Sequence, residues 1–227
     1  MSATPRNNAI IVALLLLVGG VLTGLGARQT RQYYLAVARS QFVRLADGLS
    51  AEVKRRMNQP VYGLKGARGV FAASQSVDRA EFRAYVASRD LAGEFPGVLG
   101  FGFIQRVRRA DLDAFVAAQR ADGAPDFTVK TSGDAPELYV VAYIDPLDAN
   151  REAFGYDVGS EPVRRAAVEQ AIATGEPTLT PKLSLIQDRT HRPGFHYLVP
   201  IYRNDATPTT PEERRAALVG VLYAPIL

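Results

Sequence analysis

The side chains best suited to chemistry gather in the second half of the chain. Asp145, Asp148 and Asp157 stand close together in sequence, with Asn150 among them and Thr180 further on. Tyr139, Tyr143, Tyr156, Phe195 and Tyr197 surround these polar groups with flat apolar rings. A few oriented polar groups among aromatic walls are what small-molecule pockets use. The expected ligand-binding set is therefore Tyr143, Asp145, Asp148, Asn150, Tyr156, Asp157, Thr180 and Tyr197. Each residue also has a plainer reading. Loop carboxylates often bond their own backbone in turns, and tyrosines pack cores.

Catalysis finds less support. The only histidines, His191 and His196, flank a Pro-Gly turn, and their odd spacing puts them on opposite faces of any strand that holds both. There is no His-x-x-x-His pair, Gly-x-Ser-x-Gly elbow or Walker loop. The absence of cysteine excludes disulfides, thiol catalysis and thiolate metal sites. The Gly100-x-Gly102 pair lacks a third glycine and a following helix, so it is no dinucleotide loop. We expect no catalytic residue, no metal and no cofactor. An anchored hydrolase using Asp145 or Asp148 is the weaker alternative. Lys and Arg total 27 against 23 Asp and Glu, a net charge of +4. The basic doublets are scattered, which speaks against a nucleic-acid partner.

The elements that must position these groups begin with Ala9 to Ala27, nineteen residues without a charge between Arg6 and Arg28. At 1.5 Å per residue such a helix spans about 28 Å, close to the hydrocarbon thickness of a bilayer. The run exceeds a signal-peptide core, so a retained anchor is expected over cleavage after Ala27. Flanking charge leaves the orientation open, because long domains cross membranes regardless of it. From residue 28 to 72 a helix follows, in which Leu35, Ala38, Phe42, Leu45, Leu49, Val53 and Met57 form a seam of period near 3.5. That period fits packing against another helix. A second copy of the chain is one partner, and beyond Leu49 the chain's own domain is the other. Gly63, Gly66 and Gly69 read as close-packing positions on the same helix.

Beyond the stalk, Asp78 with Glu81 and Thr210 with Glu213 are capping boxes. Residues 109–120 and 159–174 read as helices, the latter stopped by Gly175. Strands are expected over 97–107, 127–130, 138–144, 179–187, 194–202 and 217–223. This is an α+β domain with an antiparallel sheet.

The stretch from about Phe71 to Pro225 resembles the CHASE domain, a sensory domain attached to histidine kinases and nucleotide cyclases. The resemblance rests on seven pieces in order: FRAYV (82–86), FPGVLGFGFIQRV (95–107), YIDPLDAN (143–150), GYDVGSEPVRR (155–165), ATGEPTLTPKL (173–183), GFHYLVPIYR (194–203) and TPEERRAALVGVLYAP (210–225). It implies a long stalk helix and two tandem PAS-like antiparallel sheet subdomains, the distal one holding a small ligand. It further implies residues 1–8 in the cytoplasm, 9–27 in the inner membrane, and 73–225 as a periplasmic sensory domain. A second membrane helix and an output domain, kinase or cyclase, are expected after residue 227. By similarity to the cytokinin receptors, Asp148 and Thr180 would face an adenine-like ligand. Asp145 competes with Asp148, because the alignment there needs a one-residue gap. The partners so implied are a small molecule, the membrane and a second copy of the chain.

The seam generates a first prediction. Replacing Leu45 by Asp puts a charge into an apolar interface at a cost of several kcal/mol. Cross-linking between chains through a single cysteine introduced at position 42 should fall sharply in that variant. Unchanged cross-linking would mean that the seam does not face a second chain.

Overall fold

The computed structural model describes residues 5–187, 190 and 192–227. His191 lies outside the described residues. The chain divides into two compact units, residues 1–55 and 56–227. The first is entirely part of one helix among its described residues, α1 (Pro5–Ala73). No break occurs where the apolar run ends. Ile10 to Leu25 are exposed, as are the seam residues Leu35, Phe42, Leu45 and Leu49.

In the second unit α1 changes character. Val61, Leu64 and Ala67 are buried at helical spacing. Two of the three glycines do serve close packing. A Cβ on Gly63 would strike the rings of Phe95 and Phe101, and one on Gly66 would strike Tyr85. The Tyr85 hydroxyl donates to the Gly63 carbonyl at 2.6 Å. Gly69 meets nothing within 4 Å. The own-domain reading thus holds from Val61 onward, while the seam before it stays exposed in the single chain.

The helices α2 (Arg79–Ala87) and α3 (Leu91–Glu94) come next, and the Asp78–Glu81 capping box opens α2 as expected. Strand β1 (Phe101–Arg108) leads through a 3₁₀ turn into α4 (Leu112–Ala121), then β2 (Glu137–Asp145) and the short α5 (Leu147–Asn150). Helix α6 (Pro162–Thr174) has Glu161 as its cap and ends at Gly175, whose φ of 76° is readily adopted by glycine. Short β3 (Thr178–Leu179) and β4 (Leu183–Ser184) precede β5 (Pro193–Tyr202), α7 (Pro211–Ala217) and β6 (Leu218–Ile226). The Thr210–Glu213 box caps α7.

The strands form one antiparallel sheet in the order β2-β1-β6-β5-β3, with β4 added to β5. The α+β class and antiparallel sheet are as read. The described strands build one sheet where the resemblance implies two in tandem, because β6 pairs with β1 on one side and β5 on the other. Two strand expectations are corrected. Residues 127–130 contribute only a bridge from Lys130 to Tyr156, since Phe127 turns inward against Phe115 and Phe154. The span 179–187 is two short strands, interrupted at Pro181, which cannot donate to a ladder.

Both faces of the sheet are covered, so β2 is buried throughout its interior instead of alternating. Phe101, Phe103, Leu138, Val140, Val199 and Leu222 join the cluster that includes the end of α1, α2 and α4. Tyr139, Val141, Leu198, Val221 and Tyr223 face α6. At Gly102 the chain packs close against the backbone, because a Cβ there would overlap the Tyr223 ring. His196 lies 5.4 Å from Tyr223, centroid to centroid. Burial, aided by Arg164, pushes the His196 pKa down to about 3.

A pH dependence follows. Unfolded histidine titrates near 6.5. Below that pH the unfolded chain takes up a proton that the folded chain refuses, so this contribution is full above pH 6.5 and is lost as pH falls toward 3. The slope should approach about 1.4 kcal/mol per pH unit. Denaturant titrations from pH 7 to 4.5 should show it in the parent, with a flatter profile in His196→Leu. Equal profiles would mean that His196 charges in the folded state.

Candidate functional site

The first residue of α2 organises the site. Arg79 is only 9% exposed. Its backbone N–H donates to both carboxylate oxygens of Asp122 at 3.3 Å. In the guanidinium, Nε donates to the Asp122 carbonyl (3.0 Å), Nη1 to the Ala142 carbonyl (3.0 Å) and Nη2 to Gln119 Oε1 (2.8 Å). The guanidinium carbon lies 4.9 Å from the Tyr143 ring centroid and 5.0 Å from that of Phe154, within cation–π range. Burial lowers the Arg79 pKa, though Asp122 opposes the shift. The Tyr143 hydroxyl donates to Asp122 Oδ2 at 2.9 Å. Its pKa is raised, first by burial and then by the Asp122 carboxylate, so it stays a neutral donor.

Beside this network lies a cleft of about 290 Å³ between α2, the segment 123–130 and the region from α5 to Phe154. Ala124, Phe127, Leu147 and Phe154 give it apolar walls, and Arg79, Arg83, Lys130 and Arg151 give it positive charge. A hollow continuous in residues with it reaches Tyr143 and Asp145. A second, larger groove of about 570 Å³ lies where α1 ends, along Phe71, Ser74 to Val77, Phe103, Gln105, Tyr143 and Ile201 to Asp205. There Asn204 Nδ2 donates to the Ala72 carbonyl at 3.0 Å, satisfying one of the free acceptors at the helix end.

The residues expected from sequence disperse over these features. Tyr143 and Asp145 meet in the small hollow beside the cleft. Asp145 pairs with Arg83 at 3.5 Å, and its pKa is raised mainly by burial. Asp148 is 94% exposed in its side chain and touches the site only through its 2.8 Å bond to Arg151. Asn150 is fully buried and donates to the carbonyls of Leu99 and Pro146, both at 2.9 Å, while accepting from Gln187. Asp157 is 1% exposed and accepts from the backbone of Tyr139 and Gly159 and from the Thr131 hydroxyl. Thr180 accepts from the His196 N–H at 2.9 Å. Tyr156 lies under the Arg164 guanidinium on the α6 side. Tyr197 borders a different hollow with Asn58, Val61 and Leu179. The four cations of the cleft were not anticipated. Arg79 at the start of a capped helix was the available signal, but separation in sequence hid the grouping.

The family model for the CHASE domain matches residues 75–227. A comparison with curated protein sequences gave no match. Among solved structures, one similar chain is an extracellular ligand binding receptor from Desulfohalobium retbaense DSM5692, with a TM-score of 0.45 and 11% identity. The match covers 78% of this chain and 23% of that one, so the present chain spans about a quarter of its length.

The hydrogen bonding separates the carboxylates by experiment. Asp157→Ala leaves several buried donors unpaired and should destabilise the domain by about 2–4 kcal/mol. Asp148→Ala breaks only a surface pair and should change stability by less than about 1 kcal/mol. Urea denaturation of both variants against the parent measures the contrast.

Proposed function

The chain belongs to the CHASE-domain family, and we propose that it is the ligand-sensing input part of a membrane receptor, binding a small molecule in the Arg79 cleft. It is an extracellular sensory domain. In the proposal residues 9–27 hold it in the inner membrane, with the domain in the periplasm. Residues 28–72 form a stalk that pairs with a second copy, and a kinase or cyclase follows the present sequence.

The observation that carries the reading is the position of the cleft relative to α1. Only residues 74–78 separate the end of α1 from Arg79, which lines the cleft and opens α2. A ligand touching α2, segment 123–130 and the α5 region would fasten three elements to one another. If it prefers one placement of α2, it draws the population toward that placement, and the short connection passes the change to α1. A ligand acts this way only through its differential affinity for the two states. The exposed seam supports the dimeric stalk and equally a module that pairs chains without any ligand, so the two readings divide on ligand binding.

Thermal-shift screening of the full chain in nanodiscs, with amino acids, organic acids and heterocycles, should find a stabiliser. At a hundredfold excess over the dissociation constant a ligand specific to the folded state adds about 2.7 kcal/mol. Thr128 is exposed and lines the cleft, so Thr128→Trp should fill its mouth, leave the fold intact and abolish the shift. A shift retained in that variant would place the ligand elsewhere.

A further inference from the structure

The charge around the cleft is not balanced from within. Arg79, Arg83, Lys130 and Arg151 line it, with Asp126 as the one acidic side chain among the lining residues. Two of the cations have acidic neighbours of their own, Arg83 with Asp145 and Arg151 with Asp148. Among the described residues Lys130 has none: its Nζ donates to the backbone carbonyls of Glu152 at 3.1 Å and Arg151 at 3.5 Å. Arg79 is the sharper case. Its guanidinium is buried, yet its three hydrogen bonds all go to neutral oxygens, while the Asp122 carboxylate is taken by the backbone N–H of Arg79 and by Tyr143. A guanidinium has five N–H groups, so two remain to donate beyond the three bonds made among the described residues. Asp122 is a nearby counter-charge that makes no bond to the guanidinium, so part of the cost of burying this cation stays unmet, and an incoming anion reduces it.

Resting on the ligand-binding reading above, we propose that the cleft takes a small organic carboxylate. The negative group would lie between Arg79 and Lys130, and its hydrocarbon or aromatic body against Phe127, Leu147 and Phe154. A planar carboxylate matches the geometry of the guanidinium fork. The apolar walls leave room for a carbon skeleton, which inorganic phosphate lacks. The volume of about 290 Å³ is at the small end for ligand pockets, suited to a metabolite-sized acid.

The test uses the full chain in nanodiscs and calorimetric titration with succinate, benzoate, inorganic phosphate, succinamide and benzamide. At least one carboxylate should bind, and its amide should bind at least tenfold more weakly. Lys130→Met and Arg83→Gln both alter exposed side chains. Lys130→Met should weaken carboxylate binding about tenfold, the scale of one charge-assisted hydrogen bond, and Arg83→Gln, whose charge is paired with Asp145, by less. Amides binding as tightly as acids, but still blocked by Thr128→Trp, would overturn the carboxylate assignment and leave the cleft as the ligand site. Carboxylate binding insensitive to Thr128→Trp would overturn the cleft itself. Phosphate binding without any carboxylate binding, or no binding by any of the five probes, would also refute the proposal.

Discussion

A buried guanidinium whose hydrogen bonds, among the described residues, all go to neutral oxygens ties the sensory domain together where α2, α4 and β2 meet. Arg79 belongs to α2, Gln119 to α4, Asp122 to the turn after it and Ala142 to β2, and one side chain ties all four. Three charge-assisted bonds and two aromatic faces offset part of its desolvation. Much else follows from this knot. Tyr143 is held at a fixed angle because its hydroxyl shares Asp122. The rings of Phe82, Tyr143 and Phe103 then succeed one another at 5.6 and 5.7 Å along the sheet face. The cleft exists because segment 123–130 leaves the knot at Asp122 and meets residues 155–157 at Lys130, whose N–H donates to the Gly155 carbonyl and whose carbonyl accepts from the Asp157 N–H.

The opposite face is organised differently. There α6 covers Tyr139, Val141, Leu198, Val221 and Tyr223, and the polar atoms that enter are not all paired. Among the described residues, the hydroxyls of Tyr139 and Tyr223 and Arg164 Nε are buried without a protein partner. Gly102 gives Tyr223 the space that any larger residue would fill. Asp157 closes this side near β2 by collecting two backbone N–H groups and a hydroxyl. The α6 side is thus a closely packed interior, whereas the cleft beside Arg79 is open and charged.

The long helix joins two physical regimes. Through the apolar run and the seam it presents exposed hydrophobic residues, and from Val61 it buries a stripe on the sensory domain. An exposed apolar stripe on a helix is stable when membrane or a partner helix covers it. The buried stripe is covered by side chains of the same chain, with Gly63 and Gly66 allowing the rings of Phe95, Phe101 and Tyr85 to approach. One continuous helix therefore carries an exposed apolar stripe in its first part and a stripe buried on the sensory domain in its last.

The amino-acid sequence by itself determined the local features. Asp78, Glu81, Thr210 and Glu213 specify helix starts through bonds made within one turn. Gly175 ends α6 because its left-handed backbone suits glycine. The uncharged run from Ala9 and the family's motifs are likewise properties of contiguous residues. Long-range pairing decided the rest. Whether a strand face meets solvent, α1 or α6 depends on where β6 inserts, and no short segment encodes that. Tyr143 and Tyr197 therefore border different hollows on the α1 side while Tyr156 packs toward α6, although the three looked alike in sequence. Asn150, Asp157 and Thr180 looked like ligand contacts, but the tertiary fold supplies partners for their polar groups from backbone up to 51 residues away. The cleft's cations come from α2, the segment after α4 and the turn after α5, and their common charge acts only once folding has brought them within reach of one another.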